Sequence, residues 1–142
     1  MDEVIATEVA LQELDRIQEV FDVIYDERQQ QQLLPAIQAG RVSSDQEKYE
    51  IIYTLERPIE LKNGDLLGAL TIRSPGYTDL EYINRGYTVN VEQNGQANVD
   101  MGMIQRRTLR AVSRLSGKPS GVVDRIHRRD MRVLGAMLDF FE

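Results

Sequence analysis

The chain has 142 residues, enough for one domain and a modest core, with 42% hydrophobic and 28% charged residues and a net charge of −6. It has no cysteine, which excludes disulfides and thiolate metal sites, and no apolar run near the ~20 residues that span a bilayer. Charge is unevenly spread: residues 1–40 carry nine acids against Arg16 and Arg28, whereas residues 101–142 carry nine bases against four acids. Ends of opposite sign attract one another within a chain or between chains.

Met1-Asp2-Glu3 is acidic where a secretory signal begins with positive charge, so a cytoplasmic protein is expected. Leu11, Leu14, Ile17, Phe21 and Ile24 recur at spacings of three and four and predict an amphipathic helix, with Thr7 as its cap. A glutamine run, Gln29 to Gln32, precedes a second helical pattern at Leu33, Leu34 and Ile37 that stops at Gly40. Pro35 inside a helix costs ~3 kcal/mol, so that helix is expected to start near Leu34, with the glutamines as its lead-in. Arg41 to Lys48 reads as a linker, placing a boundary between a helical arm (1–48) and a body (49–142).

From Tyr49 the period changes to two. Tyr49, Ile51, Tyr53 and Leu55 predict a strand with one apolar face, Pro58 marks a bend, and Asn63-Gly64 predicts a type I′ hairpin into a return strand at Leu66, Leu70 and Ile72. Thr78 with Glu81 forms a capping box for a short helix closed by Gly86. A second hairpin is expected from Tyr87, Val89 and Val91 through Asn94-Gly95 to Ala97, Val99 and Met101.

The last third is helical. Met101, Ile104, Thr108, Ala111 or Val112, and Leu115 share a face; Ser116-Gly117 ends that helix and Ser120 caps the next. Met131, Leu134, Leu138 and Phe141 form one stripe of the closing helix, with Val133, Met137 and Phe140 beside it. The expected class is α+β: an N-terminal helical arm, a small antiparallel hairpin sheet and a C-terminal bundle of three short helices.

No motif for catalysis or cofactors stands out. His127 is the single histidine and lies among arginines, with no serine–base pair nearby to make it catalytic. Asp2-Glu3 and Asp26-Glu27 read as solvated pairs, and neither metal-ligand spacings nor phosphate-binding glycine loops occur, so no metal or cofactor is expected. Arg106, Arg107, Arg110 and Arg114 project from one helical region and form a basic face. That face suits acidic protein surfaces, or DNA if the chain is a regulator; the acidic remainder and the lack of interleaved base-reading residues favour the first. The apolar excess of the closing helix (Val133, Met137, Phe140) and the first helix's face (Leu14, Phe21, Ile24) are candidate partner-docking surfaces, with core as the alternative.

The order of certain segments resembles a known family. Thr54-Leu55-Glu56-Arg57-Pro58-Ile59-Glu60-Leu61, Asn63-Gly64, Leu70-Thr71-Ile72-Arg73-Ser74-Pro75 and Asp79-Leu80 resemble the opening of the tail assembly chaperones of contractile-tailed bacteriophages. Arg114-Leu115-Ser116-Gly117-Lys118-Pro119, Val122-Val123-Asp124, Arg129-Asp130-Met131 and Asp139-Phe140-Phe141 are similar to the family's helical C-terminal end. Leu14-Asp15-Arg16-Ile17 and Ala36 to Arg41 resemble an N-terminal extension of some members, while the Tyr87–Asp100 hairpin departs from the pattern. The resemblance implies a non-catalytic assembly factor in the infected cell's cytoplasm. It would bind the tape measure protein, act with tail tube subunits, gather in copies and be absent from the mature tail. A small structural tail or baseplate component is the neighbouring alternative.

Overall fold

The structure, a computed structural model, describes residues 7–86, 90–91, 97–98 and 101–138. The first helix, α1 (Thr7–Phe21), buries Ala10, Leu14, Ile17, Val20 and Phe21. It stops a turn earlier than its apolar pattern predicts. Asp22 enters the left-handed region at φ 55°, its N–H reaches the Glu19 carbonyl (3.3 Å), and the Val23 N–H reaches the Gln18 carbonyl (3.0 Å). Leu11 and Ile24 consequently lie in solvent, Ile24 at 93% exposure.

Helix α2 (Glu27–Gln38) begins seven residues before the predicted start at Leu34, and the glutamine run forms its first two turns. The reason is a reciprocal cap. The Asp26 carboxylate accepts the Gln29 N–H (2.8 Å), and the Gln29 side-chain oxygen accepts the Asp26 N–H (3.0 Å). Pro35 is tolerated inside the helix because both it and Gln31, whose carbonyl it cannot bond, are on the exposed side.

The expected linker contains a strand. β1 (Val42–Asp45) pairs antiparallel with β2 (Glu50–Glu60), which pairs antiparallel with β3 (Leu66–Arg73), in the order β1-β2-β3. The boundary expected after residue 48 therefore falls inside the β1–β2 hairpin. α1, α2 and the sheet share one core with the C-terminal helices. Tyr49, counted in the apolar strand set, is instead a turn residue, exposed and left-handed at φ 54°. Ile51, Tyr53, Leu55, Leu70 and Ile72 point into the core as the period of two requires, while Ser43, Ile52, Thr54, Ala69 and Thr71 lie on the open face.

The β2–β3 hairpin forms, but not through a type I′ turn. Gly64 (φ 87°) has positive φ while Asn63 does not, and the Gly64 N–H bonds the Leu61 carbonyl (2.9 Å). This is the three-residue loop in which a left-handed glycine follows an ordinary turn. Between Thr54 and Ile59 the register slips, so β2 bulges at the residues leading into Pro58.

Helix α3 (Tyr77–Ile83) is capped two residues earlier than Thr78: Gly76 is the N-cap, and the Asp79 carboxylate accepts the Gly76 N–H (2.8 Å). Two short strands, β4 (Asn90–Val91) and β5 (Ala97–Asn98), pair antiparallel as the second hairpin requires; its Asn94-Gly95 turn lies outside the described residues. Helix α4 (Met101–Ser116) takes Met101 out of that hairpin and buries Ala111, Val112 and Leu115. α5 (Ser120–Val123) has Pro119 rather than Ser120 as its N-cap, and α6 (Arg128–Leu138) closes the described chain. Among the described residues, six helices and this sheet make an α+β fold.

Two buried phenols connect distant parts of the core. Tyr25 donates to the Met137 carbonyl (2.7 Å) and Tyr53 to the Asp130 carboxylate (2.7 Å). Burial pushes both phenol pKa values up; at Tyr53 the hydrogen bond to Asp130 and that group's charge add to it. The folded state thus favours the protonated phenol. Its stabilisation is complete below the unfolded value of about 10 and is lost as pH rises above it. Urea midpoints are expected to fall steeply above about pH 10, and Tyr25→Phe should flatten that fall.

Candidate partner-docking surface

The structure sorts the candidate docking residues into two groups. Leu14, Phe21, Val133 and Met137 are core residues, none more than 9% exposed, and as such cannot meet a partner. The physical reason lies in the N-terminal helices. α2 packs along α6, the Tyr25 hydroxyl and the Gln29 side-chain amide reach the α6 carbonyls of Met137 and Ala136, and α6 also meets β2 and α4. Among the described residues, Val133, Leu134, Met137 and Leu138 from the two apolar stripes of α6 are covered from within the chain. Ile24 is the exposed member of the set, and Phe140 lies outside the described residues.

The basic face is similarly divided. Arg106 is exposed, Arg107 is 9% exposed, Arg110 donates to the Arg85 carbonyl, and Arg114 turns inward to Asp79. Arg114 also lies over the Tyr82 ring, 4.6 Å from its centre. Arg106, Arg107 and Arg110 do come together, with Arg85, around a pocket of about 60 Å³. The stripe therefore does not present four free guanidiniums to a nucleic-acid backbone.

Two carboxylates that the sequence reading passed over organise the fold. Asp79, on α3, accepts from both terminal nitrogens of Arg73 on β3 (2.5 and 2.8 Å), from Arg114 Nε on α4 (2.7 Å) and from the Gly76 N–H. The Arg73 hydrogen bonds, helped by Arg114 and Gly76 and opposed by burial, hold its carboxyl well below the usual carboxylate range. Asp130, fully buried in the first turn of α6, accepts the Tyr53 hydroxyl, the Glu56 N–H (2.8 Å) and the Arg57 N–H (3.1 Å). His127 sits just before α6, where its Nδ1 accepts the Arg129 N–H (3.2 Å); it is a helix-end residue.

A groove remains. α6 contacts α2 on one side and α4 on the other. A groove of about 600 Å³ lies over it, between walls of Arg28, Gln29 and Gln32 from α2 and Ile104, Arg107 and Thr108 from α4. Gly135 and Ala136 of α6 form its floor, with Arg132 and Asp26 at its margins. Small residues let another backbone approach closely. The sequence signal was the Gly135-Ala136 pair interrupting an otherwise bulky helix, hidden because the helix was read for its apolar stripes.

Among the described residues, no group of three or more His, Cys, Asp or Glu side chains is placed to hold a metal ion, and no helix is long and apolar enough to cross a membrane. In comparisons with known proteins, no family model, no curated protein and no solved structure matches this chain.

Proposed function

We propose that this chain is a non-catalytic bacteriophage tail assembly chaperone, acting in the host cytoplasm by binding the tape measure protein during tail tube polymerisation. The observation that carries the reading is the groove between α2, α4 and α6, with its small-residue floor and its walls of amides and arginines. Such a groove fits one helix laid lengthwise, with small side chains against Gly135 and Ala136 and acidic flanks toward Arg28 and Arg132. A tape measure, long and largely helical, offers such segments. The segment resemblance given above, carried by residues outside the groove, is what suggests a tail assembly client rather than another helical one.

The test is co-expression with the tape measure of the same phage, followed by pull-down and light scattering. A soluble complex carrying several copies of this chain is expected. Ala136→Lys places a long cation in the groove floor, and should weaken capture by about tenfold or more while the thermal melt stays cooperative. A well-folded chain that does not bind the co-expressed tape measure overturns the reading. Capture unaffected by Ala136→Lys but lost on Ile24→Asp moves the docking surface to the α1–α2 loop.

A further inference from the structure

Three arginines of α4 and one from the end of α3 surround a single small cavity. Arg110 lies four positions from Arg106 and three from Arg107, the spacings at which helix side chains meet. Arg85 follows α3, and its carbonyl accepts from the Arg110 guanidinium, which ties that end of α3 to α4. The cavity is about 60 Å³, with Ile83 and Met103 as its apolar wall. One water occupies about 10–15 Å³ of such space, so there is room for roughly four to five waters, the bulk of one phosphate group.

Charge in this cavity is one-sided. Among the described residues its lining holds four arginines and no acid. Asp79, on the neighbouring α3, is taken by Arg73 and Arg114. Asp124 borders a second cavity of about 210 Å³, which shares Arg106 and Arg110 and adds Tyr82, Leu109 and Ser113. Like charges gathered at one point repel, and burial weakens the screening that water would supply. Arg107 is 9% exposed and Arg110 is half-buried, so that screening is reduced here. An anion in the cavity turns the repulsion into attraction. Arg85 and Arg106 are exposed, so an anion can reach it from solvent.

We propose that this cavity binds one phosphate group, free or at the end of a small phosphate ester. The number of donors favours phosphate over a carboxylate. Each guanidinium is a planar fork of five N–H donors, and a carboxylate has only two oxygens to offer such forks. A phosphate monoester offers three oxygens and a charge near −2. Guanidiniums arriving from two elements, α4 and the end of α3, suit a tetrahedral group better than a planar one. A nucleic-acid strand is a poorer match, since the cavity admits a single group and the next arginine along α4, Arg114, is turned to Asp79. Arg107 also borders the groove between α2, α4 and α6, but the cavity's anion does not depend on what that groove takes.

Thermal melting of the full chain in rising inorganic phosphate, with chloride adjusted to hold ionic strength constant, tests this. A saturating rise in melting temperature is expected, with one phosphate bound per chain by calorimetry. Arg85→Gln and Arg106→Gln each remove an exposed guanidinium and should weaken phosphate binding roughly tenfold or more, as loss of a charge-assisted hydrogen bond does. Arg107 is left in place because it also lines the groove, which keeps this result separate from capture of a helical client. Arg16→Gln removes the same charge from α1, which packs on α2, β1 and β2, and should leave phosphate binding unchanged. Adenosine monophosphate is the second probe. Affinity equal to or below that of inorganic phosphate assigns the cavity to free phosphate, and affinity tenfold higher assigns it to an ester whose body uses the second cavity. A melting temperature indifferent to phosphate overturns the proposal. So does binding that Arg85→Gln and Arg106→Gln leave intact, or that Arg16→Gln weakens equally.

Discussion

Asp130→Ala is expected to lower the free energy of unfolding by about 3–5 kcal/mol, the cost of breaking a buried charged arrangement by removing one partner. The bulge of β2 explains the size of the effect. Between Thr54 and Ile59 the strand leaves its ladder, which strands the Glu56 and Arg57 N–H groups. The Asp130 carboxylate accepts both, together with the Tyr53 hydroxyl, and its place in the first turn of α6 suits negative charge. Without it, three donors at this site lose their acceptor. Set against a typical domain stability of about 5–15 kcal/mol, that loss leaves a marginal fold. Urea unfolding measures it. Asp130→Asn, which keeps one acceptor oxygen but turns an amide NH2 toward donors, should cost about 2 kcal/mol, and Tyr53→Phe about 1 kcal/mol. If Asp130→Ala costs less than Tyr53→Phe, the bulge is held by something other than this carboxylate. Amide exchange at Glu56 and Arg57 should accelerate in Asp130→Ala ahead of exchange at Ile51 or Leu70.

Local signals were legible wherever one element settled its own structure. The β2–β3 hairpin, the Gly117 stop of α4 and the amphipathic face of α1 follow from period and punctuation. The glutamine run was misplaced because its cap depends on Asp26 and Gln29 acting reciprocally, a signal masked by the repetitive sequence around it. β1 was missed because Val42-Ser43-Ser44-Asp45 has no pattern strong enough to announce a strand; pairing with β2 makes it one. The docking candidates failed for a different reason. A hydrophobic stripe shows that a face is buried but not what buries it, and for Val133 and Met137 the cover comes from α2, about a hundred positions earlier in the chain.

The segments on which the proposed tail assembly role rests have a physical reading of their own. Arg73, Asp79 and Arg114 meet in one clamp, and Glu56, Arg57 and Asp130 meet in another, although Arg114 and Asp130 come from segments far along the chain from their partners. These residues hold α3 to β3 and α4, and α6 to β2. The groove residues Gln32, Ile104, Gly135 and Ala136 lie outside the quoted segments. Residues that keep the fold and residues that meet the proposed client are thus largely separate, and a client surface can vary while the clamps stay.

The Asp79 clamp gives the second large effect, one with a pH signature that packing changes do not share. Asp79→Ala removes the common acceptor of Arg73, Arg114 and the Gly76 N–H, and should cost about 2–4 kcal/mol. The value sits below that for Asp130 because both arginines keep part of their side chains in water, 46% and 32%, and can rehydrate. The folded carboxyl is held well below its unfolded value, so the clamp's charged contribution is complete above the ordinary aspartate pKa of about 3.9 and is lost as pH falls below it. Wild-type stability should therefore decline through the acid range. Asp79→Asn keeps the shape and an acceptor for Gly76 but has no charge to titrate, so it should be less stable at neutral pH and decline less on acidification. The two stabilities are expected to draw together as pH falls from about 4 toward about 2, because the unfolded carboxyl takes up a proton that the folded clamp does not. Curves that stay parallel from about pH 6 to about pH 2 would place the acid sensitivity of the fold at other carboxylates. Convergence would identify Asp79 as the group through which acid loosens α3 from β3 and α4.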